Sequence, residues 1–298
     1  MAMQPTNAGI HYQQRVSAQF LAVMLTCADL KDWISSGDGR LVSVRFESRD
    51  EIDDLVLEND AGSTCYLQIK RTVSFSTLPD SPFFKTIRQF VRQFIACPEQ
   101  GKYYLAVSTN SSSQINDKLR RLLNSLRCSG QLALTIPNKS DQKTLDAFLS
   151  CIRAAYHSET GSSISDAALA QLCHRIFIEV YDIKDGLCQE RLCKMLLASK
   201  HNRHYETIWH SLIVDAADFA ANRYTVTYDY LCAHYKDYAS APQDKDPFTP
   251  VFEGEVPVGY DVILCKSKQL LDILAQRDPK IAAQADSAPP VPFAALPF

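Results

Sequence analysis

Residues 42–70 read VSVRFESRDEIDDLVLENDAGSTCYLQIK. Val42, Val44 and Phe46 alternate with polar residues, the pattern of a half-buried strand. Residues 55–57 are a short apolar run directly after Asp53 and Asp54. Residues 59–63, NDAGS, carry the composition of a hairpin turn, and residues 65–69 read as the returning strand. The stretch therefore predicts a three-strand meander. Gln68 and Lys70 stand two apart, so both side chains leave the same face of the last strand.

That placement suggests chemistry. Carboxylates at a strand start are hard oxygen ligands for Mg²⁺, and a nearby Gln carbonyl is a further neutral oxygen. A Lys ammonium on the same face can orient a water and offset charge on a phosphate in the transition state. Glu47, Asp53, Asp54, Gln68 and Lys70 supply those groups. The plain alternative is an ordinary surface hairpin, since Asp-Asp at a strand start and Lys-Arg at a strand end are both common.

The chain has 298 residues, enough for one large or two smaller domains. Its 46% hydrophobic and 22% charged residues describe a soluble globular protein. A net charge of −3 means that any nucleic-acid surface has to be local. No apolar run approaches the roughly 18 residues of a membrane helix, and the N-terminus has no secretory pattern. The ten cysteines are scattered without a C-x-x-C, so reduced buried thiols in a cytoplasmic protein are expected.

Residues 9–25 predict an amphipathic helix with Val16, Phe20, Val23 and Met24 on one stripe, and with Tyr12 and Gln13 placed to support the acidic strand. A second helix is predicted over 82–96, capped by Ser81 with Pro82 in its first turn. Lys85, Arg88 and Arg92 recur on it at helical intervals, suited to a phosphate backbone or to plain solvation. Residues 102–108 read as a central strand, 115–126 as a basic helix and 132–136 as a further strand.

The second half is mostly helical. Helices are predicted over 140–155 with Ser140 as cap, 165–173, 188–198, 206–221 and 228–238, with a strand over 175–182 and Thr225 as a helix entry. His201, His204 and His210 lack metalloprotease spacing and read as a polar linker. Tyr224, Tyr228, Tyr230, Tyr235 and Tyr238 fit core packing better than base stacking. From residue 239 the composition turns Pro-rich. A linker, a hairpin over 251–266, a helix over 268–276 and a flexible Ala/Pro tail follow. The expected organisation is thus a core over 1–137, a helical lobe packed on that core over 138–238, and a linker with a short end segment over 239–298 leading to a domain outside the chain.

The order of elements resembles the restriction-endonuclease-like α/β core, a central mixed sheet flanked by helices. Gly9, Tyr12 and Gln13, then Phe46-Glu47, then residues 52–55 (IDDL) and 67–71 (LQIKR) sharpen it. Together they look like the PD-(D/E)XK double-stranded DNA endonuclease domains fused to sensor modules, second-messenger receptors or STAND-type NTPases, in bacterial anti-phage defence. The resemblance covers roughly residues 9–110 and makes the core over 1–137 nuclease-like. It implies a metal-dependent DNA endonuclease, an effector activated by oligomerisation with a sensor or NTPase downstream or in trans. The alternative is a non-catalytic DNA-binding or assembly module of the same fold. Asp53 or Asp54 would be the principal metal ligand, with Asp54 favoured because it abuts the apolar strand. Glu47 would be an accessory carboxylate, and Gln68 stands where many members have Glu. Lys70 would position the water, Mg²⁺ or Mn²⁺ would be the cofactor, and Arg71, Lys85, Arg88 and Arg92 would contact the DNA backbone.

Overall fold

The meander forms as the sequence predicts. In a computed structural model that describes residues 5–98, 101–129, 138–184 and 186–238, β1 (Leu41–Phe46), β2 (Leu55–Asn59) and β3 (Thr64–Lys70) pair antiparallel in succession. The turn is held by Asn59, whose Oδ1 accepts from the Ser63 N–H at 2.8 Å while its Nδ2 donates to the Asp38 carbonyl at 2.6 Å. Gly62 takes φ +76°, a conformation open to glycine at little cost.

β4 (Lys102–Val107) then runs parallel to β3, and β5 (Ile176–Val180) parallel to β4. β6 (Thr225–Thr227) pairs antiparallel with β1. The result is one six-stranded mixed sheet in the order β5-β4-β3-β2-β1-β6.

Helices cover both faces, and the strand alternation divides the core between them. One face carries Val44, Phe46, Leu57, Leu67, Tyr104 and Phe177, and packs with α1 (Pro5–Leu25), α6 (Cys188–His201) and α7 (Tyr205–Asn222). The other carries Val56, Tyr66, Tyr103, Leu105 and Ile178. It packs with α2 (Pro82–Ala96), α3 (Arg120–Ser129), α4 (Lys139–Thr160) and α5 (Asp166–Arg175). The start of α2 is as expected, with Ser81 Oγ accepting from the Phe84 N–H at 3.2 Å. A short α8 (Tyr228–His234) follows β6, capped by Thr227.

Several expectations change. Residues 138–238 do more than pack on the core as a helical lobe, because β5 and β6 form the two edges of its sheet and α7 packs on α1. All described residues fall in one compact unit, Met1–Pro247, while a second, Phe248–Phe298, lies outside them. Thr225 enters a strand rather than a helix. Asn138, not Ser140, caps α4, accepting from the Ser140 N–H at 2.8 Å. The basic helix over 115–126 begins as a π-helical turn, Gln114–Leu119, before α3. The strand expected over 132–136 and every element expected beyond residue 238 lie outside the described residues. Tyr235 is core, as read, with its hydroxyl donating to Asp215 Oδ2 at 2.5 Å.

A buried ion group ties α1 to α6 and α7. Glu190, 1% exposed, accepts from Arg15 at 3.0 Å, from Lys194 at 3.1 Å and from the Trp209 indole N–H at 3.1 Å. Three donors satisfy a carboxylate that would otherwise be costly to bury.

One cooperative unit makes a clear prediction. Trp33 lies in the first half of the described chain and Trp209 in the second. In the single-tryptophan variants Trp209→Phe and Trp33→Phe, indole fluorescence and circular dichroism are expected to share one urea midpoint within each variant. Two separated midpoints would restore the lobe division.

Candidate functional site

The register of the meander builds the site. Phe46 opposes Leu55, and Leu55 opposes Leu67. The residues one step further along, Glu47, Asp54 and Gln68, therefore meet at one end of the three strands. The backbone confirms the first contact, with the Glu47 N–H donating to the Asp54 carbonyl at 3.4 Å.

Asp54 is 8% exposed and its Oδ2 collects three donors. The Gln68 amide donates to it, the Ile69 N–H donates at 2.6 Å, and the Lys70 ammonium stands 3.6 Å away. Oδ1 takes none of these. Burial pushes the Asp54 carboxyl above its ordinary range, against the pull of Lys70 and of the Ile69 N–H. Glu47 is also raised, first by burial and then by the charge of Asp54, while Gln13 pulls it back by donating to Oε1 at 2.9 Å. Glu47 holds φ +41°, a strained value for a residue with a side chain and one that recurs at binding sites.

Gln68 is 1% exposed, and its Oε1 is buried with no hydrogen-bond partner. Gln68 donates from Nε2 to Asp54, so its Oε1 is an orphaned buried carbonyl on the side chain that contacts this carboxylate, an oxygen of the kind a hard cation takes. Among the described residues no group of three His, Cys, Asp or Glu side chains is placed to hold a metal, so such a site depends on the amide.

The candidate residues fare differently. Glu47, Asp54, Gln68 and Lys70 come together. Asp53 does not join the Oδ2 cluster; its carbonyl accepts from the Ser48 N–H at 2.9 Å in the loop between β1 and β2. Gln13 reaches the site as expected, but Tyr12 turns away, donating from its hydroxyl to the Tyr181 carbonyl at 3.3 Å. The basic stripe of α2 is not a free phosphate-facing surface. Arg88 and Arg92 both engage Glu159 of α4, the latter at 2.9 Å, and Arg92 also lies 3.7 Å from Glu51. Lys85 is exposed and Arg71 half-buried beyond β3. Lys118 and Arg121 likewise turn to Asp141, at 3.8 and 2.8 Å. His201 is buried with Nδ1 3.4 Å from the Tyr238 carbonyl, so it is packed rather than part of a polar linker.

Sequence reasoning missed Arg49 and Arg223. Both line a cleft of about 410 Å³ that includes Glu47, and Arg223 also lines a second cleft of about 380 Å³ with Gln13, Gln14 and Glu47. Arg49 is visible in the sequence only as one charge in a turn. Nothing local marks Arg223, which comes to line the same clefts as Glu47 through tertiary folding.

No family model matches the chain, and no curated protein matches it. It is similar to solved structures of the Acinetobacter baumannii Cap4 SAVED/CARF-domain containing receptor. With the cyclic trinucleotide 2'3'3'-cAAA the identity is 10% and the TM-score 0.44 over 80% of this chain and 47% of that one. With 3'3'3'-cAAA the values are 12% and 0.43 over 80% and 46%. The Moraxella osloensis Cap4 SAVED/CARF-domain containing receptor gives 11% and 0.42 over 77% and 48%. The chain thus spans less than half the length of those receptors. They are named as SAVED/CARF-domain containing receptors and not as PD-(D/E)XK nucleases. On that finding the assignment to the PD-(D/E)XK endonucleases is corrected. The DNA-cleaving effector and the alternative DNA-binding module are withdrawn with it. No described helix is long and apolar enough to cross a membrane.

The raised carboxyls set a pH dependence in the absence of metal. With the folded pKa of Asp54 above its unfolded value of 3.8, the folded state holds the proton more tightly. Its contribution is present at low pH and is lost as pH rises from that value through the folded pKa. In EDTA, Asp54→Asn is expected to gain stability relative to wild type as pH rises across this window. Urea midpoints that move in parallel for the two proteins would contradict the burial argument.

Proposed function

We propose that the strand-end site binds a divalent cation, Mg²⁺ or Mn²⁺, and hydrolyses a phosphodiester. The observation that carries this reading is the unpartnered, buried Oε1 of Gln68 beside the anchored carboxylate of Asp54. Asp54, Gln68 and Glu47 are the residues that would hold the ion. When bound, such an ion lowers the pKa of a water and offsets charge on phosphoryl oxygens.

The chain's own groups supply the rest. Lys70 keeps a partly exposed ammonium near Asp54, where it can orient the attacking water and stabilise negative charge as it develops on the phosphoryl group. Gln13 fixes the orientation of Glu47. Hydrolysis forms a bond from the water oxygen to phosphorus and breaks one ester P–O bond. The departing alcohol carries away a proton and the phosphate keeps the charge.

Turnover of bis(p-nitrophenyl) phosphate and of linear and cyclic trinucleotides, in Mg²⁺, Mn²⁺ or EDTA, tests it. Metal-dependent cleavage is expected, reduced by about 10²–10³-fold in Lys70→Met and in Asp54→Asn. Binding of a cyclic trinucleotide with no turnover of any of these substrates would contradict hydrolysis and favour a receptor.

A further inference from the structure

The cleft beside Glu47 carries three arginines against two carboxylates in a chain of net charge −3. Arg45, Arg49 and Arg223 line it together with Ser48, Asp50 and Glu47. Arg45 is already committed, 3.7 Å from Asp50 and 3.3 Å from Glu58. Arg49 and Arg223 are exposed, and among the described residues neither side chain has a hydrogen bond or an ion pair. Glu47 is engaged by Gln13.

The backbone fixes where both cations stand. Arg49 stands in the loop pinned by the Ser48 N–H to the Asp53 carbonyl at 2.9 Å and by the Asp50 N–H to Ser48 Oγ at 3.3 Å. Arg223 ends α7 in the left-handed conformation, φ +53°, a position that favours Gly or Asn. Its neighbour Tyr224 accepts from the Phe46 N–H at 3.0 Å, which anchors the turn next to Glu47. The left-handed turn is the C-terminal cap of α7, closed by the Arg223 N–H to the Ala220 carbonyl at 3.2 Å and the Tyr224 N–H to the Phe219 carbonyl at 2.9 Å, and it sets the unpaired Arg223 side chain at the border of two clefts that share Glu47.

We infer that Arg49 and Arg223 form an anion subsite beside Glu47 that takes a second phosphate of the ligand proposed for the strand-end site. The ligand class is therefore an oligonucleotide with at least two phosphates. The identity of the ligand rests on the phosphodiester reading above; the subsite itself rests on the cleft. Guanidinium groups suit this role because their planar donors match phosphate oxygens.

The test is fluorescence anisotropy of a labelled linear trinucleotide with the full chain in EDTA, so that neither metal nor turnover enters. Arg49→Ala and Arg223→Asn are used singly and together, since Asn tolerates the left-handed backbone. The double variant is expected to bind about tenfold more weakly. Its dependence of log affinity on log salt should be shallower by about one per arginine. Melting temperatures should match wild type, and Arg223→Lys should restore part of the affinity. A double variant that keeps wild-type affinity and salt slope overturns the inference, as does a wild type that does not bind the trinucleotide. Arginine-dependent binding without any hydrolysis would leave the subsite standing and sink only the reaction. Hydrolysis with unchanged binding in the double variant would do the reverse.

Discussion

The site rests on one buried oxygen. Asp54 Oδ2 gathers the Gln68 amide, the Ile69 N–H and the Lys70 ammonium, all from consecutive residues of β3. A carboxylate loses most of its hydration at this depth, and these donors replace it. They also fix the side chain's direction, so that Gln68 turns its second polar atom elsewhere and leaves it unsatisfied. A half-satisfied polar group is expensive in a core. Its persistence at the end of three strands, beside a glutamate in a strained backbone conformation, is what separates this corner from an ordinary hairpin.

The remainder of the fold keeps that corner in place. β4 and β5 extend the sheet in parallel on one side of β3, and β6 closes it beyond β1. The loop carrying Asp53 and Asp54 is stitched to α2, with the Glu51 N–H donating to Gln93 Oε1 at 3.0 Å. On the opposite face α1 delivers Gln13 to Glu47, and α1 is itself locked to α6 and α7 through Glu190. The second half of the chain thus braces a site made by the first, and through Arg223 it also reaches the rim.

Local pattern made the meander legible, because alternation, a glycine turn and a two-residue spacing are all encoded within residues 42–70. The sequence favours Asp54 over Asp53 because Asp54 abuts the apolar strand; the structure brings Asp54 against Gln68 and leaves Asp53 in the loop. What local pattern could not supply was distant pairing. Thr225–Thr227 is a three-residue strand whose partner is β1, and its sequence alone suits a helix entry equally well. The arginines of α2 looked available because nothing nearby neutralises them; Glu159, from α4, does so only in the folded chain. The family resemblance rested on short motifs in order, which describe a strand-end arrangement of acid, amide and lysine and do not by themselves fix a substrate.

Titration of Mn²⁺ into the metal-free full chain, followed by electron paramagnetic resonance of the free ion, tests the proposed binding of one divalent cation by Asp54, Glu47 and Gln68. One Mn²⁺ is expected to bind wild type and to be displaced by Mg²⁺, and this binding is expected to be lost in Asp54→Asn and in Gln68→Leu with the fold retained. Equal Mn²⁺ uptake in wild type and both variants, or none in wild type, would contradict it.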